Sequence, residues 1–173
     1  MTGIPGSVEV RIDDLAFTDA DALARPVTAT LQATTPLLRR IELAGGASLL
    51  AQLQTAEPLA VGSAIVTGAG DLGVELMVHA VVSSVDEPVT RGSVRRALAS
   101  ALQRAGDWGV RHLALPPFGL GAGNLAIEDS AEVMMDVIGR HMRAQRAPLR
   151  VTVVVESDGE AEAFLARVGV ACE

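Results

Sequence analysis

The sequence has no lysine, one cysteine, and only 2% Phe, Tyr and Trp taken together. With Cys172 alone, an intrachain disulfide and a cysteine metal cluster are both excluded. The shortage of aromatics means that any core is built from Val, Leu, Ile and Ala. No apolar run reaches membrane-spanning length, and no charged head precedes an apolar signal core at the N-terminus, so a cytoplasmic chain without a membrane partner is expected. Basic blocks are missing too: 14 arginines face 21 acidic residues, for a net charge of -7. Such a chain is ill suited to gripping long nucleic acid, where phosphate contacts dominate affinity. It can still hold one small anion, because backbone amides do not enter a charge count.

What is present is an ordinary globular balance, 49% hydrophobic and 20% charged over 173 residues. Residues 1–173 are read as one domain with a substantial core. Strands are predicted at 7–12, 21–27, 63–67, 75–82, in the segment VRHLALP, and at 148–157. Thr35 can cap a helix that opens on Pro36 and is broken at Gly45-Gly46, with further helical turns in ASLLAQLQ. The segment TRGSVRRALASALQRAGDWG places Val94, Leu98, Ala101, Leu102 and Ala105 on one face, so it is the clearest helix, stopped by Gly106 or Gly109. A second amphipathic helix covers 128–143, with Val133, Val137 and Ile138 inward and Met134 and Met142 at its margins. The apolar run after it reads as a strand buried on both faces, and GEAEAFLARVG as a last short helix. Strands alternating with helices predict a three-layer α/β/α sandwich with a mixed, mostly parallel central sheet. The apolar stretch 37–53 either packs inward or meets a second copy of the chain in a homo-oligomer.

One stretch, LALPPFGLGAGNL at 113–125, carries the functional signal. It follows the C-terminal end of a predicted inner strand and precedes a helix, the position where open α/β sheets bind small ligands. Pro116 and Pro117 stiffen the exit, and Gly119, Gly121 and Gly123 keep Cβ atoms away, so that several amides can converge on an anion. The segment is neither a P-loop, lacking the Lys-Ser/Thr pair, nor a dinucleotide fingerprint. A demanding turn without a ligand is the other reading. Elsewhere the chemistry is thin. His79, His112 and His141 have no metal-ligand spacing, so no metal or cofactor is expected. Neither Ser63 nor Ser130 lies in a nucleophile elbow. Asp71 reads as a turn residue, and His79, alone on an apolar strand, as a hydrogen-bonded core residue.

VRHLALPPFGLGAGNL resembles the strand and second phosphate loop of the macrodomain family, and IVTGAGDLGVELMVHAVV its turn and following strand, His79 included. SVRRALASALQRAGDWG is similar to the family's long helix, VRIDDL to its first strand with a terminal Asp, and ALARPVTATL to the strand entering its Asn-containing loop. The likeness runs over most of residues 8–167. It implies a macrodomain-like fold with ADP-ribose in a cleft along the strand ends. Asp14 then matches the acid that accepts from the adenine amino group, or Asp13 if the register slips by one; without the family the pair would be read as a turn cap. Pro117, Phe118, Gly119, Leu120, Gly121, Ala122 and Gly123 match the loop around the diphosphate and distal ribose. Leu120 stands where Thr is common, and Phe118 either covers the ligand or anchors the loop to the core.

The first half of the implied site departs from the family. Arg25 and Thr28, in RPVT, replace the two Asn of the family's NAAN-like element, and the following QATTPLLRRI has no glycine. Non-glycine residues resist the left-handed backbone that wraps phosphate, and Pro36 removes an amide. Either Arg25 or Arg39 supplies the missing positive charge, or the pocket is remodelled; Arg39 and Arg40 otherwise read as solvent-facing. The expectation is therefore binding of ADP-ribose, a related nucleotide diphosphate or an ADP-ribosylated protein, through Asp14, Arg25, Thr28 and residues 117–123, without efficient catalysis. The alternatives are a degenerate scaffold used for protein interaction or assembly, and a weak ADP-ribosyl or O-acetyl-ADP-ribose hydrolase.

Overall fold

The computed structural model describes residues 6–121 and 124–171. In chain order the elements are β1 (Ser7–Ile12), a 3-10 turn (Leu15–Phe17), β2 (Ala22–Thr28), α1 (Pro36–Gln52), β3 (Ala64–Gly68) and β4 (Leu76–Ser83). They are followed by α2 (Arg91–Asp107), β5 (His112–Leu115), α3 (Ile127–Arg143), β6 (Arg150–Val155) and α4 (Asp158–Ala171). The six strands form one sheet in the order β1-β6-β5-β2-β4-β3. Every pairing is parallel except β3 with β4, which is antiparallel, so the sheet is mixed and mostly parallel as the strand-helix alternation predicts.

Side-chain alternation along the inner strands divides the core into layers. Ala22, Ala24, Val78, Ala80, Val82, Leu113, Leu115, Val151, Val153 and Val155 face α2, α3 and α4, where Leu98, Leu102, Ile138 and Phe164 meet them. Leu23, Met77, Ala114 and Val154 point the other way, onto Leu38, Ile41 and Leu49 of α1 and Leu15 of the 3-10 turn. The inward face read for α2 is buried as expected. Met134 is a correction: it is fully buried, because α3 has α2 on one side and α4 on the other and keeps little free margin.

Pro26 lies inside β2, an inner strand, where proline normally removes a ladder hydrogen bond. Here β5 pairs with β2 only over Ala22 and Leu23, so one side of β2 is already open at Pro26. The start of that pairing is clamped by Asp21, whose carboxylate accepts the amides of His112 and Arg111, both at 3.0 Å. Those two amides, His112 first, hold the Asp21 carboxyl below its ordinary value.

Thr35 caps α1 through Leu38 N–H, with Pro36 at the first helical position as the sequence predicts. The Gly45-Gly46 break is a kink within α1, not its end. Gly46 takes φ 74°, ψ -169°, a conformation open essentially to glycine alone, and the helix resumes to Gln52. The kink seats the β3–β4 connection, where Asp71 N–H donates to Gly45 O at 2.9 Å. The stretch 37–53 packs inward through Leu38, Ile41 and Leu49, leaving Leu43 and Leu50 exposed.

Candidate functional site

Because β1, β6, β5 and β2 run parallel, their C-terminal ends emerge side by side in that order. Asp13 and Asp14 follow β1, Glu156 follows β6, and Pro116-Pro117 follow β5. The N-terminal half of α1 lies across these ends and leaves a trough. One part, about 380 Å³, is lined by Asp13, Asp14, Ala16, Phe17, Ile41 and Ala44. The other, about 190 Å³, is lined by Thr35, Pro36, Leu38, Pro116, Pro117, Leu120 and Glu160. Leu37, Arg40 and Glu156 line both, so the two parts share a waist.

At the first end the Asp14 carboxylate accepts from Ala16 N–H at 3.0 Å and caps the 3-10 turn, while Asp13 accepts from Asp14 N–H at 2.8 Å. Both acids are exposed. Capping therefore describes Asp14 correctly, and its position on the trough wall leaves the carboxylate within reach of a ligand as well.

At the second end the loop after β5 is anchored from below. Phe118 is fully buried; its N–H points at the Met134 sulfur at 3.0 Å and its carbonyl accepts from Ser130 Oγ at 2.6 Å. Of the two roles open to Phe118, anchoring is the one it fills, and its ring has no surface to cover a ligand. Gly119 takes φ +84°, and a Cβ there would lie 2.8 Å from Val94 Cγ2 and 3.0 Å from Leu125 Cδ1. Gly119 and Gly121 give their carbonyls to Leu125 and Asn124 N–H. Among the described residues no backbone acceptor takes the amides of Gly119, Leu120 or Gly121. Beside this turn the buried Thr34 hydroxyl likewise has no partner among the described residues. Ala122 and Gly123 lie outside the described residues.

Arg25 is placed differently from the sequence expectation. It points from β2 into the layer beneath α1 and is 1% exposed. Its Nη1 meets Glu42 Oε1 at 2.6 Å, its Nε–H donates to His79 Nδ1 at 2.9 Å, and Nη2 reaches Leu31 O at 3.5 Å. Burial draws its pKa down against the opposing pull of Glu42, and a guanidinium stays protonated regardless. A cation so enclosed and so fully engaged has nothing to offer the trough. Since Arg25 Nε is always a donor, His79 Nδ1 is the acceptor and Nε2 carries the proton, which points at Thr67 Oγ1 at 2.8 Å. Burial, with the Arg25 charge second, pushes His79 down to about 3, so the ring is neutral. The core reading of His79 describes it well.

Thr28 is on a different surface from Asp14 and Leu120. Its hydroxyl accepts from Gln32 N–H at 3.2 Å and closes the turn over residues 28–32. That turn lines a separate hollow of about 640 Å³ with residues 58–61 and 83–87. Within it Leu31 adopts φ +64°, the left-handed backbone that leucine rarely takes. Its 3% exposed side chain packs with Val27, Ala29 and Val81, which offsets that strain.

The structure thus gathers Asp14, Pro117 and Leu120 onto one trough, with Gly119 and Gly121 in its adjoining turn, and keeps Arg25, Phe118 and Thr28 away from it. Arg40, Glu156 and Thr35 line it although sequence reasoning gave none of them a binding role. The available signals were Glu156 as the first charged residue at the end of the predicted strand 148–157, and Arg40 one turn inside a helix whose start faces the strand ends.

The family model described as Macro domain matches residues 27–134 of the chain. An uncharacterised protein of Mycobacterium tuberculosis is 29% identical over 161 residues, 93% of this chain and 44% of that protein. One from Aeropyrum pernix is 26% identical over 125 residues, covering 70% of this chain and 65% of the relative. The chain spans less than half the length of its mycobacterial relatives. Among solved structures, an Oceanobacillus iheyensis macrodomain mutant with ADPR superposes with a TM-score of 0.86 at 16% identity, covering 97% of this chain and 95% of the other. A Trypanosoma brucei macrodomain in complex with ADP gives 0.81 at 14% identity, covering 94% and 69%. At these identities the likeness is one of fold.

Proposed function

The chain belongs to the macrodomain family, and we propose that it binds ADP-ribose or a related nucleotide diphosphate in the trough at the strand ends, without efficient turnover. The observation that carries this reading is the pairing of the two ends: an acceptor carboxylate, Asp14, at one, and at the other the amides of Gly119–Gly121, which no backbone acceptor takes among the described residues. A carboxylate takes hydrogen bonds from an adenine amino group, and clustered amides take them from phosphate. The capped start of α1, whose residues Thr35 to Leu37 line the phosphate end, adds the positive end of a helix dipole. The ligands of the Oceanobacillus iheyensis and Trypanosoma brucei macrodomains, ADPR and ADP, favour the same class.

Slow or absent turnover follows from what stands at the two Asn-matching positions. Arg25 is enclosed and Thr28 opens on a different hollow, so neither is available to orient water at a distal ribose.

Calorimetry with ADP-ribose, ADP, AMP and adenosine tests the binding reading, with all four expected to bind and the diphosphates most tightly. No heat and no competition at millimolar ligand would favour the scaffold alternative. Turnover is assayed separately on an ADP-ribosylated protein and on O-acetyl-ADP-ribose, and a rate abolished by Thr28→Ala would overturn the non-catalytic assignment.

A further inference from the structure

The trough poses an electrostatic problem for any phosphate. Its lining carries four carboxylates, Asp13, Asp14, Glu156 and Glu160, against a single cation among the described residues, Arg40. The two arginines that sequence reasoning offered as compensating charge do not reach it: Arg25 is enclosed, and Arg39 is absent from the lining of either part.

Arg40 is at the waist, and its guanidinium is already occupied. Nη2 lies 3.4 Å from Glu156 Oε1, with the two side chains 68% and 51% exposed. An ion pair that open to water contributes little to stability, so it is given up at small cost. A phosphate offers the guanidinium a stronger partner, with more charge and oxygens spaced for two parallel hydrogen bonds. Glu156 is thus both the resting partner of Arg40 and a repelling charge for the incoming anion.

Resting on the nucleotide reading above, we infer that Arg40 is the specificity-determining residue of the trough. By exchanging Glu156 for phosphate, it separates phosphate-bearing nucleotides from the bare nucleoside. The adenine end is read by the Asp14 carboxylate, whose hydrogen bond is to Ala16 N–H, whereas Arg40 is bonded to Glu156. The same arrangement would serve a site without a first glycine-rich loop: an exposed side chain takes the place of fixed backbone amides.

The test is calorimetry of the wild type, Arg40→Gln, Arg40→Lys and Glu156→Gln with ADP, AMP and adenosine. All three substitutions are at exposed side chains, and thermal melts confirm that the variants are folded. Arg40→Gln is expected to weaken ADP by about 10-fold or more while leaving adenosine unchanged, the size of a lost charge-assisted pair. Arg40→Lys should fall between, keeping the charge without the fork, and Glu156→Gln should tighten ADP several-fold with adenosine again unmoved. An ADP-to-adenosine affinity ratio that is the same in Arg40→Gln and wild type overturns this inference and leaves the nucleotide reading standing. A wild type that binds neither ADP nor adenosine overturns both.

Discussion

Arg25 and Glu42 form an ion pair at 2.6 Å with side chains only 1% and 10% exposed, tying the middle of the sheet to the underside of α1. The guanidinium also serves His79, so three elements, β2, β4 and α1, are held by one side chain. Removing one partner strands the other in a medium that solvates it poorly, a loss of about 3–5 kcal/mol. Arg25→Ala and Glu42→Ala are each expected to destabilise the protein on that scale in urea titrations. Arg25→Met combined with Glu42→Leu should recover part of the loss, because no unpaired charge remains, although His79 then lacks its donor. Single variants costing less than about 1 kcal/mol would show that the pair is not desolvated as drawn.

His79 makes the stability depend on pH in a defined window. The unfolded chain takes up a proton on this residue below its ordinary value of 6.5, the folded chain only near 3. Between those values the unfolded state binds more protons, so stability is complete above the upper limit and declines as pH falls, with a slope approaching ~1.4 kcal/mol per pH unit. Comparing wild type with His79→Gln isolates this contribution between pH 5 and 6.5, where few ordinary carboxylates titrate. Equal slopes in the two proteins would mean that His79 titrates in the fold as it does in the unfolded chain. In NMR spectra the ring is expected as the Nε2–H tautomer, unchanged down to the acid transition.

Asp14→Ala should weaken ADP-ribose, ADP and adenosine alike, since all share the adenine amino group. About 1 kcal/mol is expected, the lower end for a lost hydrogen-bond partner, because the carboxylate is exposed. A similar loss of stability accompanies it, as the cap on Ala16 goes too. Asp13→Ala is the control for register. If it abolishes adenosine binding while Asp14→Ala does not, the reader of adenine is the neighbouring acid.

Gly119→Ala sets a methyl group against Val94 and Leu125 on a backbone at φ +84°. A drop of about 1–3 kcal/mol in stability is expected from strain and overpacking together. ADP should bind more weakly, with adenosine changed little, if the displaced amides hold phosphate as proposed. Gly73→Ala is the comparison: nothing lies within 4 Å of the added carbon, and its melting temperature should match wild type.

The layers, the buried face of α2 and the Thr35 cap of α1 were legible because each is written locally, as alternation, periodicity or a turn residue. Thr35 before Pro36, or Val94 through Ala105, needs no distant partner to be interpreted. The trough was half legible. The loop after β5 could be placed from strand, prolines and glycines alone, and Asp14 from the family likeness. Arg25 could not, because a strand arginine is read as polar surface unless its partners are known, and Glu42 and His79 are 17 and 54 residues away in sequence. Arg40 was hidden by the converse difficulty. It looks like any exposed helical arginine, and only the fold brings Glu156, from the far end of the chain, to its side.

The kink at Gly46 has a bearing on how this chain can vary. A methyl group at Gly46 would collide with the Asp71 carboxylate, and one at Gly70 with the Gly45 carbonyl. The bend in α1 and the β3–β4 connection are therefore a lock and its key, cut to each other with no clearance. At Gly70 the obstacle is backbone, so a side chain enters only after the bend of α1 has moved; at Gly46 the Asp71 side chain can turn aside, but the backbone conformation itself excludes any residue other than glycine. Any attempt to straighten α1 by design must rebuild the connection in the same step.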